Sequence, residues 1–150
     1  MRYGQPRLLV TFFIILFFSG CSSFKPKEIG LLDGKLRPCP PAPKCVSSYY
    51  AKGIHHIEPL KYSGPKENAY NKILSIINSM EKSKIVKQEK NYIYAQFEVS
   101  RFKWIDNVEF LFDDENKIIH YSSTPSAEIG FWDWGANKRR ANIIQQRFEK

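Results

Sequence analysis

Histidine and cysteine are scarce in this chain, three of each in 150 residues, and their spacing narrows the chemistry further. A structural zinc site needs four Cys or His ligands in paired spacing, and no second pair is there to complete one. His55 and His56 are adjacent, so in an extended segment their rings diverge, and His120 is the third and last. No metal and no cofactor are expected. Nucleophilic serine has no setting either, because Ser47, Ser48, Ser122 and Ser123 are doublets outside any G-x-S-x-G turn. No phosphate-binding loop, internal repeat or low-complexity tract occurs. No residue is assigned as catalytic. A long apolar run is missing too: Leu8–Phe18, LLVTFFIILFF, supplies about ten residues where a spanning helix needs roughly twenty.

That short run fits a secretory signal instead. It follows MRYGQPR, which carries Arg2 and Arg7 and no acid, and it ends in Ser19-Gly20-Cys21. FSGCSS resembles the bacterial lipobox, with Phe18 where Leu is usual. The expected organisation is a signal peptide over 1–20, a lipidated Cys21 with a tether over 21–35, and one domain over 36–150. An uncleaved N-terminal anchor with an incidental cysteine is the alternative. Several acyl chains, at about 0.8 kcal/mol per buried methylene, hold a protein on a bilayer without a spanning helix. The implied location is the bacterial cell envelope, facing the periplasm. Ser22 stands where many inner-membrane lipoproteins carry Asp, which points to the outer membrane.

With Cys21 set aside, Cys39 and Cys45 remain as the one pair in an oxidising space. Five residues separate them, which is not C-x-x-C redox spacing. They read as a disulfide closing a proline-stiffened loop, with two free thiols as the alternative. The formal charge is +8, and removing residues 1–20 takes away Arg2 and Arg7 and leaves +6. An exported, lipidated domain does not meet nucleic acid, so anionic headgroups or acidic wall polymers are the natural partners for that charge. A plain solvated basic surface is the other reading.

Residues 22–38 have Gly, Pro and Lys but no sustained period, and read as lead-in. IHHIEPL, ending at Leu60, alternates as a short edge segment. Behind Pro65, Ala69, Ile73, Ile76, Ile77 and Met80 fall at helical spacing. Period two then takes over: Ile93, Ala95, Phe97 and Val99 share one face of a strand, and Val108, Phe110 and Phe112 one face of the next. Asp113–Asn116 is a turn, Ile118–Tyr121 returns, and Lys84–Gln88 is a possible further strand. A last helix runs from about Gly135 to Phe148. The fold class is α+β, an antiparallel β-sheet of about four to five strands with two helices packed on one face.

The last helix carries Ile143, Ile144 and Phe148 as its core stripe. Stepping back from Ile144 brings Arg140, Asn137 and Asp133 onto the same line, with Lys138 and Arg139 in water. A buried charge needs a partner, and Asp106 shares the apolar parity of Val108. The expected pair is Arg140–Asp106, with Asp133 capping the helix and Glu109 on the opposite face. This corner is either an ion pair that fixes helix against sheet or the polar end of a ligand pocket. Phe131-Trp132-Asp133-Trp134 is either packing over a sheet edge or an aromatic membrane or sugar contact.

Leu36-Arg37-Pro38-Cys39-Pro40 followed by Pro43-Lys44-Cys45-Val46-Ser47-Ser48 resembles the "CP…PNCVSS" opening of the bacterial and plastid family called domain of unknown function 1499. Trp104-Ile105-Asp106-Asn107-Val108-Glu109-Phe110 is similar to its "FVDDVEF" strand, and Gly130 to Arg140 to its "GxxDxGxNxxR" ending. Tyr121–Glu128 stands where the family commonly has "RSASR". The resemblance implies fold, location and motif residues, and no activity. Three functions stay open: a non-enzymatic binding or interaction lipoprotein, whose partner is an envelope protein or a small amphiphile; an enzyme using Asp106, Glu109, Asp133 and Arg140; and a structural surface module.

Overall fold

The computed structural model describes residues 29–40, 44–49, 52–99, 104–126 and 134–150. It is an α+β protein with two helices, α1 (Lys66–Asn78) and α2 (Ala136–Glu149). Its main sheet is six-stranded and antiparallel, and a separate two-stranded hairpin lies ahead of it. The expectation of four to five strands is therefore too low.

The strands missing from that count are short. β1 (Leu31–Leu32) and β2 (Lys35–Leu36) form the hairpin, in the stretch read as lead-in. Two-residue strands leave no period to detect. Their turn was legible, since Asp33-Gly34 sits at φ 50° and 74°, the doubly left-handed turn that D-G favours in hairpins. β3 (Val46–Ser47) and β4 (Leu60–Lys61) both pair with the same side of β8. Between them Gly53–His55 is a 3-10 turn, so Ile54 and His55 are not extended as the alternation had predicted. His55 Nδ1–H donates to the Cys45 carbonyl at 2.7 Å, holding that turn against the disulfide Cys39–Cys45.

The remaining strands form a meander: β5 (Ser83–Glu89), β6 (Tyr92–Val99), β7 (Trp104–Asp113) and β8 (Ile118–Pro125). Between β7 and β8, the Asp113 carboxylate accepts from the Asn116 backbone N–H and side-chain amide, at 3.0 and 2.7 Å, which closes the turn. β7 begins at Trp104 and β8 runs to Pro125, both longer than their apolar alternation, because Asp106, Ser122 and Ser123 continue them with polar side chains.

α1 begins directly after Pro65, whose fixed φ enters a helix easily. At its other end, the Ser83 hydroxyl donates to the Ile77 and Met80 carbonyls at 2.6 and 2.8 Å, which satisfies groups the helix leaves open. Ala69, Ile73, Ile76 and Ile77 of α1 and Ala141, Ile144 and Phe148 of α2 join one apolar cluster with Ile93, Ala95, Phe97, Val108, Phe110 and Phe112. Ile143 is 41% exposed and lies outside that stripe. Among the described residues, no helix is long and apolar enough to cross a membrane.

Candidate functional site

Two buried polar clusters stand on opposite faces of β7, and the strand's own alternation puts them there. Asp106 shares the core-facing parity of Val108, Phe110 and Phe112, while Asn107 and Glu109 point the other way. Both sets are almost fully buried, with Asp106 and Asn107 3% exposed and Glu109 2%.

On the core side, Arg140 Nη2 donates to Asp106 Oδ2 at 2.7 Å. Arg140 Nη1 donates to Ser123 Oγ at 3.0 Å and to Asn137 Oδ1 at 2.9 Å. The Ser123 hydroxyl also donates to Asn137 Oδ1, and Asn137 Nδ2 donates to the Lys44 carbonyl at 2.8 Å. The guanidinium centre stands 4.9 Å from the Phe97 ring centroid, within reach of a cation–π contact. Asn137 and Arg140 meet because residues three apart share a helix face. A guanidinium with its fork on a carboxylate, a hydroxyl and an amide is fixed in place, so the arrangement clamps α2 to β7, β8 and the segment after Cys39.

On the other side, Glu109 Oε1 accepts from the Tyr92 hydroxyl at 2.6 Å and from the Gly30 backbone N–H at 2.9 Å. The second bond ties the β1–β2 hairpin to β7, and Leu36 of that hairpin is fully buried. Beside it the Tyr94 hydroxyl donates to Asn107 Oδ1 at 2.8 Å and accepts from Gln96 Nε2 at 2.7 Å. The Thr124 hydroxyl, cross-strand from Asn107, is buried with no hydrogen-bond partner.

The structure thus brings Asp106, Asn137 and Arg140 together and separates Glu109 from them by the thickness of the sheet. Asp133 lies outside the described residues, as do Cys21 and Phe131–Trp132; the residue before α2 is Gly135, with φ 74°. Motif spacing offers Ser123 as a nucleophile only, although its parity with Tyr121 puts it on the core face of β8, where it meets Asn137 and Arg140. Tyr92 and Tyr94 carried a similar signal through their shared parity with Gln96. The histidines stand apart: His56 Nε2 is 3.0 Å from Glu58, and His120 packs on Tyr49 with ring centroids 4.4 Å apart. A cleft of about 390 Å³ opens between the start of α1 and the β5–β6 turn, lined by Lys66, Tyr70 and Lys90 among others, and Asp106, Glu109, Asn137 and Arg140 do not line it.

The profile of the family described as "Protein of unknown function (DUF1499)" matches residues 35–148. The chain belongs to this family. The DUF1499 match runs from β2 to the end of α2 and so includes both polar clusters. No curated protein matches the chain.

Burial has a measurable effect on the tyrosines of this DUF1499 domain. It pushes the Tyr121 hydroxyl up to about 12, with Arg140 opposing the shift. Tyr92 is also raised, by burial first and then by its bond to Glu109. In the unfolded chain tyrosine titrates near 10, so above that pH the unfolded state gives up these protons while the native state keeps them. The contribution of these tyrosines is complete below about pH 10 and declines as pH rises from about 10 to 12. Urea midpoints measured across that range should fall steeply, and Tyr121→Phe should fall less steeply. Identical slopes for the two proteins would show that Tyr121 does not contribute.

Proposed function

We propose that the protein is an envelope lipoprotein, anchored through Cys21 and facing the periplasm, in which the DUF1499 domain acts as a non-enzymatic binding or interaction module. Both helices cover one face of the sheet in this reading, since the apolar residues they bury belong to one cluster with alternate residues of β6 and β7. The observation that carries the non-enzymatic part is the division of the polar residues between two faces. An active site built from Asp106, Glu109 and Arg140 requires them to converge on one substrate. Instead Arg140 is engaged by Asp106, Ser123 and Asn137, and Glu109 by Tyr92 and Gly30. Those contacts support structural roles for both carboxylates. The outer membrane is the favoured location, from Ser22 after Cys21.

The anchor is tested directly. Cys21→Ser should yield an uncleaved precursor or a protein without attached lipid, read by intact mass and by metabolic labelling with a fatty acid. Normal acylation of that variant would remove the anchor. Native mass spectrometry of the mature protein from its own envelope then reads for a retained amphiphile or partner.

A further inference from the structure

The largest exposed hydrophobic side chain in the described structure is Trp134, 85% open to solvent, and Trp104 is 49% open. They stand at one end of the domain. Trp104 opens β7 two residues before Asp106, on the same parity, and the strand beside it ends at Pro125, which pairs with Asp106. Arg140 and Asn137 tie the first turn of α2 to Asp106 and Ser123, and Trp134 precedes that helix by two residues. Lys138 and Arg139, on the outer side of the same turn, are exposed. Asp106 is taken up by Arg140, and Glu98 at this end lies 3.7 Å from Lys82. The cations Lys138 and Arg139 thus face outward in the turn that follows Trp134, at the end of the domain where β7 begins with Trp104.

A second observation concerns the backbone. Trp134 has φ 54°, a left-handed conformation that a bulky residue adopts only under constraint, and Gly135 follows at φ 74°. Arg139 Nη1 donates to the Trp134 carbonyl and holds this turn. Among the described residues, nothing buries the indole enough to offset the strained conformation. The turn presents the ring outward.

We propose that this end lies against the bilayer, with Trp104 and Trp134 at the headgroup level and Lys138 and Arg139 on anionic lipid phosphates. Amphipathic indole rings concentrate at that depth, and cations near an anionic surface add attraction. The proposal rests on the lipid-anchor reading of Cys21, and chain length supports it. The hydrogen bond from Gly30 to Glu109 places the start of the domain five residues of β7 from Trp104, roughly 17 Å along the strand. Ser22 to Ile29 reach roughly 26–29 Å when extended. An anchor at Cys21 therefore lets this end touch the membrane, and it raises the local concentration of a surface that would bind weakly by itself.

The test uses the full-length chain with Trp104→Phe and Trp132→Phe, leaving Trp134 as the reporter, in vesicles of phosphatidylglycerol and phosphatidylcholine with brominated acyl chains. Emission of Trp134 should shift to the blue and be quenched. Adding Lys138→Gln, which leaves the bond from Arg139 to the Trp134 carbonyl in place, should weaken the quenching several-fold with the circular dichroism unchanged. Intact mass reports Cys21 acylation in the same samples. An acylated chain whose Trp134 stays water-like and unquenched overturns this surface and keeps the anchor. An unacylated chain that is still quenched keeps the surface and removes the anchor, and failure of both readouts overturns both. Equal quenching on phosphatidylcholine alone overturns the preference for anionic lipid.

Discussion

Asp106→Ala should lose roughly 3–5 kcal/mol in denaturant unfolding, while Arg140→Met should lose far less. The asymmetry comes from what each change leaves behind. Removing the carboxylate strands a guanidinium 7% exposed, and arginine cannot shed its proton. Ser123 and Asn137 still accept from it, but neither neutralises it. Removing the guanidinium leaves Asp106 at the entrance of β7, where the acid can take up a proton, and the methionine retains much of the arginine's volume. The expected loss for Asp106→Ala is a large share of the ~5–15 kcal/mol that holds an ordinary domain together. The double variant should recover much of it, because no unpaired charge is left. Additive effects across the four proteins would mean that the 2.7 Å pair is not energetically coupled.

Glu109→Ala should be the second most damaging change, through a different route. It removes the acceptor of the Tyr92 hydroxyl, on a residue 2% exposed, and of the Gly30 N–H. Each buried donor left without a partner costs about 1–3 kcal/mol. The loss should be local before it is global, because the Gly30 bond is a polar tie between the hairpin segment and β7. Amide hydrogen exchange at Leu31–Leu36 should therefore accelerate more than exchange in β6 and β7. Glu109→Gln keeps an oxygen in the same place and should change both readouts much less. If hairpin amides stay protected in Glu109→Ala, packing of Leu36 alone holds that element.

How much of this was legible beforehand depended on length and on register. Long elements with a clean period, such as α1 and the apolar faces of β6 and β7, were open to sequence reading because burial imposes the period over many residues. Arg140, Asn137 and Asp106 could be placed on facing sides because helical spacing and strand parity are geometric. What sequence spacing left out was the third dimension of the polar corner. That the Lys44 carbonyl accepts from Asn137 depends on β3 lying beside β8, a pairing across more than seventy residues. The two-residue strands of the β1–β2 hairpin are too short to show a period, and only the Asp33-Gly34 turn carries a signal.

The bond from Asn137 to Lys44 spans 93 positions, and it ties the start of the family domain to its last helix. Chains are made from the amino end, so Lys44, Asp106 and Ser123 all emerge before either of their α2 partners exists. Until the fourteen residues of α2 have appeared, the Asp106 carboxylate lacks the Arg140 guanidinium that pairs with it. A chain that stops short of Asn137 therefore lacks the clamp for its own polar corner. Truncations that reach α2 should be far less tolerated than their distance from the sheet would imply, because they remove Asn137 and Arg140 together.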